Sequence, residues 1–267
     1  MKVSGNLKKM SASLEHEVKY TLNLNGQAVE INKLVGEQVR LSFDGQINCP
    51  VCEKQVKKLY QGFCYDCFTD SPAASDCILK PELCEAHLGK GRDVQWEEDH
   101  HNKPHYVYLA LTSALKVGVT RDHQVPTRWI DQGAWRVIKL AKTPYRRLAG
   151  EIEVALKQHL TDKTPWQAML KNETMDGVDL LAEKRRVSAL LPENLKQYIT
   201  DEDELWQLHY PVFSYPEKIK SLKLDKEPII EGTLMGVRGQ YLIFDENRVV
   251  NVRSHEGYLI NLEHFPN

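Results

Sequence analysis

Four of the six cysteines fall in two Cys-x-x-Cys pairs, Cys49-Pro-Val-Cys52 and Cys64-Tyr-Asp-Cys67, with eleven residues between them. Each pair presents two thiolates on one turn of chain, and four thiolates match tetrahedral Zn²⁺. A closed four-sulfur site leaves no position for water, so it predicts a structural staple rather than a catalytic metal. The other two cysteines, Cys77 and Cys84, precede a group of histidines. Cys84-Glu-Ala-His87 sets two ligand types one turn apart. Cys77 and one of His100, His101 and His105, with His101 our choice, would complete a second Zn²⁺ site. The carboxylates Asp93, Glu97, Glu98 and Asp99 read as a solvated loop face.

A second chemistry lies further along. Between Lys116 and Arg147, eight basic side chains (Lys116, Arg121, Arg128, Arg136, Lys139, Lys142, Arg146, Arg147) stand against Asp122 and Asp131. This local excess of six sits on a chain whose formal net charge is −2. Trp129, Trp135 and Tyr145 are interleaved. Basic groups neutralise phosphates and aromatic rings stack on bases, so the stretch predicts a nucleic-acid surface. Lys184-Arg185-Arg186, by contrast, reads as the solvated face of an amphipathic helix ended by Pro192. Arg238, Tyr241, Arg253 and His255 are candidates for a further binding face.

These residues need elements to position them. Val18, Tyr20, Leu22 and Leu24 alternate with polar residues as in a half-buried strand, and Asn25-Gly26 is a hairpin turn signal. Gln38–Phe43 alternates again, with a turn expected at Asp44-Gly45. Tyr106–Ala110 and Leu115–Thr120 read as a hairpin, Trp135–Leu140 as a third strand, and Leu148–Leu160 as a helix. Gly118 inside a strand implies that something approaches the backbone closely. Thr164-Pro165-Trp166 looks like a helix start, and Asp201–Glu204 like an acidic linker. From Tyr210–Tyr215 onward, short alternating runs and glycines suggest a small β-barrel shared by both ends of the chain.

At this point the pattern resembles a known superfamily. Tyr106-Val-Tyr108, Lys116-Val-Gly118, Arg128 and Glu153 together resemble a degenerate GIY-YIG core covering about residues 104 to 160. The whole arrangement, zinc cysteines followed by Val-Tyr-Leu-Ala, Lys-Val-Gly-Val-Thr and Arg-Trp, resembles an uncharacterised bacterial zinc-ribbon family. The resemblance implies a three-stranded sheet with flanking helices. Most members of the superfamily are nucleases, so an active core would imply Mg²⁺ or Mn²⁺. It implies Tyr108 near an attacking water or as a base, Gly118 as the second-motif glycine, and Arg128 steadying a phosphate. Glu153 would hold the metal, with Glu151 the alternative. The chain departs from the pattern at Tyr106, where the superfamily has glycine, and at Lys116, where it has a tyrosine of the catalytic cluster. A lysine there binds phosphate as a point charge and does not position a nucleophile.

The fold expected is α+β: an N-terminal β-module at 1–47, a zinc-binding region at 48–104, a GIY-YIG-like core with helical extension at 105–200, and a C-terminal β-barrel module at 201–267. No apolar run is long enough to span a membrane, and Met1–Asn6 lacks the apolar core of a signal peptide, so a cytoplasmic location is expected. The leading expectation is a zinc-stabilised nucleic-acid-binding protein whose core offers a phosphate surface. It would consist of Lys116, Gly118, Arg121, Arg136, Arg146 and Arg147 around Tyr108, Arg128 and Glu153. RNA is placed ahead of DNA because no DNA-reading helix is evident. The alternatives are a metal-dependent phosphodiesterase and a zinc-containing scaffold for a protein partner.

Overall fold

The computed structural model describes residues 1–160 and 165–266. The N-terminal strands are β1 (Lys2–Asn6), β2 (Ser11–Leu14), β3 (Val18–Leu24), β4 (Gln27–Glu30), β5 (Gln38–Asn48) and the short β6 (Gln55–Val56). Two short helices, α1 (Tyr65–Asp70) and α2 (Val94–His100), flank a segment of single 3₁₀ turns. The central elements are β7 (His105–Leu111), β8 (Leu115–Arg121), α3 (Thr127–Asp131), β9 (Arg136–Thr143) and α4 (Arg146–Leu156). Then come α5 (Trp166–Leu170), α6 (Leu180–Leu190), α7 (Glu193–Lys196) and β10 (Leu205–Gln207). The chain closes with β11 (Lys220–Leu222), β12 (Ile229–Arg238), β13 (Tyr241–Phe244), β14 (Arg248–Asn251) and β15 (Tyr258–Phe265). The helix start expected at Thr164 lies outside the described residues; Pro165 stands directly before α5.

Strands from both ends of the chain share one sheet, in the order β1-β15-β5-β12-β13-β14-β11, with β6 paired to β5. Among the described residues no closed barrel is found in this strand order; the fold is a mixed α+β arrangement of several sheets. A separate three-stranded sheet, β2-β3-β4, carries the alternating side chains of β3, all four of which are buried. Its hairpin turns at Asn25-Gly26, both at positive φ, which is what a turn matching strand twist requires. The turn expected at Asp44-Gly45 is instead a bulge. β5 runs straight through it, with Gly45 at φ +80°, and the register against β15 shifts between Phe43 and Ile47. Tyr210–Tyr215 forms no regular strand; it meets β12 at a bridge between Val212 and Gly236 and beneath Arg238, which lies over Tyr210 and Tyr215.

The central sheet has four strands, β10-β9-β7-β8, one more than expected, because β10 pairs antiparallel with β9. Its middle strand β7 is buried at every position, since both faces are covered. Tyr108 and Ala110 face a core shared with the large sheet and with Trp129 and Ile130 of α3. Val107, Leu109 and Leu111 face a second core built with Ile152 and Leu156 of α4 and Leu180 and Val187 of α6. The acidic run after α7 is no free linker. Glu202 pairs with Lys139 at 2.6 Å and Asp203 with the buried Lys184 at 2.8 Å, tying the run to β9 and α6. Lys184 therefore serves the interior, which removes it from the solvated face predicted for its helix.

Candidate metal centres and anion cleft

The first cysteine group forms at the end of β5. Cys49 follows the strand, the chain turns back at Glu53 (φ +61°) into β6, and Cys64 caps the N-terminus of α1. The sulfurs of Cys49, Cys52, Cys64 and Cys67 all lie within 4.8 Å of one another, a group that could hold zinc. The Cys52 and Cys64 sulfurs are 3.7 Å apart, and the edge of a tetrahedron with Zn–S bonds of roughly 2.3 Å is about 3.8 Å. Backbone N–H groups already point at this sulfur cluster: Cys64 N–H donates to Cys49 Sγ at 3.3 Å and Cys67 N–H to Cys64 Sγ at 3.4 Å. Burial pushes the Cys49 thiol up, but the N–H groups of Cys52, Cys64 and Val51 outweigh it and bring its pKa down to about 6.

The second group differs from the one expected. Cys77, Cys84, Glu97 and His101, all buried, bring their donor atoms within 4.8 Å of one another. His87 is not among them; its ring lies flat on Tyr145 at 4.4 Å. His100 stacks on Trp96, and His105 sits inside β7. Glu97, placed by sequence in a solvated loop, is 3% exposed and contacts His101 directly. The missed signal was helical. Asp93 caps α2 by accepting from Trp96 N–H, and one turn on, Glu97 and His101 share a face. Gly91 makes room, since a Cβ there would lie 2.2 Å from the Glu97 side chain. The hydrogen bond from Cys84 lowers the Cys77 thiol to about pKa 4, with His101 adding to the effect, while Cys84 is itself pushed up.

Tyr108, Arg128 and Glu153 do come near one another. Tyr108 is 0% exposed, and its hydroxyl donates to Gln132 Oε1 at 2.8 Å. Gln132 stands one turn after Arg128, so the end of α3 brings both to the phenol. Burial raises the Tyr108 pKa to about 12, against the Arg128 charge and with the Glu153 charge. The phenol is thus protonated at neutral pH and serves as a donor. The approach implied by Gly118 is Tyr108 itself. The two residues are cross-strand partners, and a Cβ at Gly118 would lie 2.6 Å from the phenol oxygen. Of the two α4 carboxylates, Glu153 is buried, whereas Glu151 faces outward and pairs with Arg147 at 3.0 Å.

Beside this group opens a cleft of about 400 Å³ whose lining includes Lys9, Arg121, Arg128, Asp131, Arg146 and Arg253. These residues come from the loop after β1, the end of β8, α3, the first residue of α4 and the turn after β14. Lys9 pairs with Asp131, but no carboxylate among the described residues lies within ion-pair distance of Arg121 or Arg128. Burial, then the charges of Arg146 and Arg128, lower the pKa of Arg121, and burial lowers that of Arg146. The like charges repel, so an anion bound among them would relieve that cost. His101 also lines this cleft, which joins it to the second cysteine group.

Several predicted contacts are elsewhere. Lys116 is 2% exposed and belongs to the interior. Arg136 lies over Trp135, and Arg147 is engaged with Glu151 outside the cleft. The aromatic platform expected from Trp129, Trp135 and Tyr145 does not exist. Trp129 is buried edge-on between Tyr108 and Trp206, Tyr145 is covered by His87, and none of the three lines the cleft. Nor do Arg238, Tyr241, Arg253 and His255 form a face. Arg238 is buried against the Gly133 carbonyl, Tyr241 stacks on Trp166, and His255 accepts from Leu224 N–H; only Arg253 reaches the cleft.

No helix among the described residues is long and apolar enough to cross a membrane. No curated protein and no solved structure matches the chain. One family model does, described as Protein of unknown function (DUF2797), over residues 36–260. That span takes in both cysteine groups, the Tyr108 pocket and every cleft residue named above except Lys9. The chain is a member of the DUF2797 family.

Proposed function

We propose that this protein binds a phosphodiester chain, RNA ahead of DNA, in the Arg121–Arg128–Arg146 cleft, on a scaffold stapled by zinc at Cys49, Cys52, Cys64 and Cys67. The carrying observation is the convergence of four guanidiniums, Arg121, Arg128, Arg146 and Arg253, around one cavity, none of them within ion-pair distance of a carboxylate among the described residues. Planar guanidiniums suit phosphate oxygens. Because Trp129, Trp135 and Tyr145 do not line the cleft, phosphate contacts should dominate over base stacking. RNA is preferred because the two longest described helices, α4 and α6, are packed against the central sheet, leaving no long helix free for a DNA major groove. Fluorescence anisotropy with labelled single-stranded RNA and DNA tests this. Three phosphate contacts to a single strand predict a slope of about −2 in log affinity against log salt. A salt-independent affinity, or none, overturns it.

One observation favours a second reading, a metal-dependent phosphodiesterase. Tyr108, Arg128 and Glu153, the groups that the GIY-YIG resemblance implies, gather with Gln132 around the buried phenol. The buried, protonated phenol would have to hand its proton on through Gln132 or a neighbour to act as a base, which is why binding is placed first. Incubation of labelled RNA and DNA with Mg²⁺ or Mn²⁺ decides it. Cleavage abolished by Y108F and by E153Q would establish catalysis at this pocket.

A further inference from the structure

The segment from Ser71 to Arg92 poses a physical problem. Its secondary structure is confined to 3₁₀ turns of three residues, and besides Pro81, which packs on α4 at Gly150, its buried apolar side chains are Cys77, Cys84 and Ala86. Its larger apolar side chains Leu79, Leu83 and Leu88 are all more than half exposed. A chain of this length with so little buried surface does not hold one conformation by hydrophobic packing, and small folds of this kind are fixed by disulfides or metals. No disulfide is present, and the two cysteines are free thiols. What the segment does bury is two sulfurs, and α2 and its cap bring a carboxylate and an imidazole nitrogen up to them, completing a set of metal donors.

We infer that Cys77, Cys84, Glu97 and His101 bind a second zinc ion, with Glu97 as the oxygen ligand, and that this ion holds Arg146 in the anion cleft. The Cys77 Sγ to His101 Nδ1 separation is 3.7 Å, close to the roughly 3.6 Å edge expected from Zn–S and Zn–N bonds at a tetrahedral angle. Two sulfurs, one nitrogen and one oxygen form a closed donor set suited to zinc. With two thiolates and one carboxylate, the zinc centre carries one net negative charge. Arg146 stands beside it: its guanidinium donates to the Cys77 carbonyl at 3.0 and 2.9 Å and to the Ile78 carbonyl at 2.9 Å. Its backbone N–H donates to the His101 carbonyl at 3.0 Å. Arg146 is thus hydrogen-bonded to the backbones of two proposed ligands while lining the cleft. Groups bonded to metal ligands in this way share their positioning.

The metal assignment is independent of the nucleic-acid reading; only the consequence for the cleft rests on it. Zinc content and X-ray absorption of the purified full chain test the site directly. Two zinc ions per chain are expected, with an average shell of three sulfurs and one nitrogen or oxygen. One zinc ion with an all-sulfur shell overturns the proposal and leaves Glu97 and His101 as a hydrogen-bonded pair. E97A should lose one equivalent and H87A none; the reverse result overturns the ligand assignment. For the link to Arg146, hydrogen exchange at its amide should quicken at least tenfold in E97A relative to wild type. Unchanged exchange in a variant that has lost the ion would show that the ion does not hold Arg146. Neither readout requires RNA, so failure to bind RNA leaves both results interpretable.

Discussion

The two cysteine groups use four donors each and differ in how the chain assembles them. Cys49, Cys52, Cys64 and Cys67 come from two tight turns close in sequence, at the edge of the large sheet, with Cys52 exposed. Cys77, Cys84, Glu97 and His101 come from two 3₁₀ turns, a short helix and its cap, and all four are buried. The first group closes a loop and touches no cleft residue named above. The second abuts Arg146 and shares His101 with the cleft wall. A local motif can staple a chain without instructing any site, whereas a site assembled from several elements is bound to whatever those elements also position.

The strongest way to break this contrast is to remove metal altogether. Structural zinc contributes apparent binding free energies of roughly 10–16 kcal/mol in small zinc peptides. Chelation should therefore raise hydrogen exchange across residues 49 to 92 to unfolded rates while β7 to β9 stay protected; uniform protection would deny both sites. Next in size is a split between variants. C52S should leave RNA affinity within about twofold, while H101A weakens it about tenfold, a change of ~1.4 kcal/mol. Equal effects would erase the distinction between staple and site. Beside the cleft, G118A forces a Cβ onto the Tyr108 ring, and overpacking of this kind costs about 1–3 kcal/mol in chemical denaturation. Smaller still, R121A should weaken RNA binding severalfold and reduce the salt slope by about 0.7, while R147A, outside the cleft, changes neither.

The buried phenol supplies the mildest test. Its folded pKa, about 12, lies above the ordinary tyrosine value of 10.0, so the neutral form is favoured by folding. That contribution is fully present below pH 10 and is lost as pH rises through 12. Burial raises Tyr20 and Tyr210 as well, so phenolate absorbance should show several late-titrating tyrosines, one fewer of them in Y108F. Loss of a tyrosine titrating near pH 10 in that variant would place the phenol in water, away from Arg128 and Gln132.

Much of the architecture was legible from local rules. The β3 alternation, the Asn25-Gly26 turn, the β7–β8 hairpin and the helix carrying Glu153 follow from side-chain period and turn chemistry, which act within a few residues. The same reasoning failed at Asp44-Gly45, where the positive φ of Gly45 serves a bulge. Pairing with β15 on the far side of the chain decided between turn and bulge. It also failed for the basic stretch. Of the eight basic side chains, three arginines reached the cleft, since Lys116 turned inward, Arg136 lay over Trp135 and Arg147 faced outward.

By itself the sequence determined the Cys-x-x-Cys group, because its ligands need only two turns and those turns are local. The family resemblance, rather than any local rule, pointed to Tyr108, Arg128 and Glu153 as one group. Only the tertiary structure decided that Glu97 displaces His87 at the second group, that Tyr108 fills the space above Gly118, and that Lys9 and Arg253 join the cleft from opposite ends of the chain. The physical reason is the same in each case. A site formed by side chains from separate elements depends on how those elements pack, and packing is set by burial over the whole chain, which no short window of residues contains.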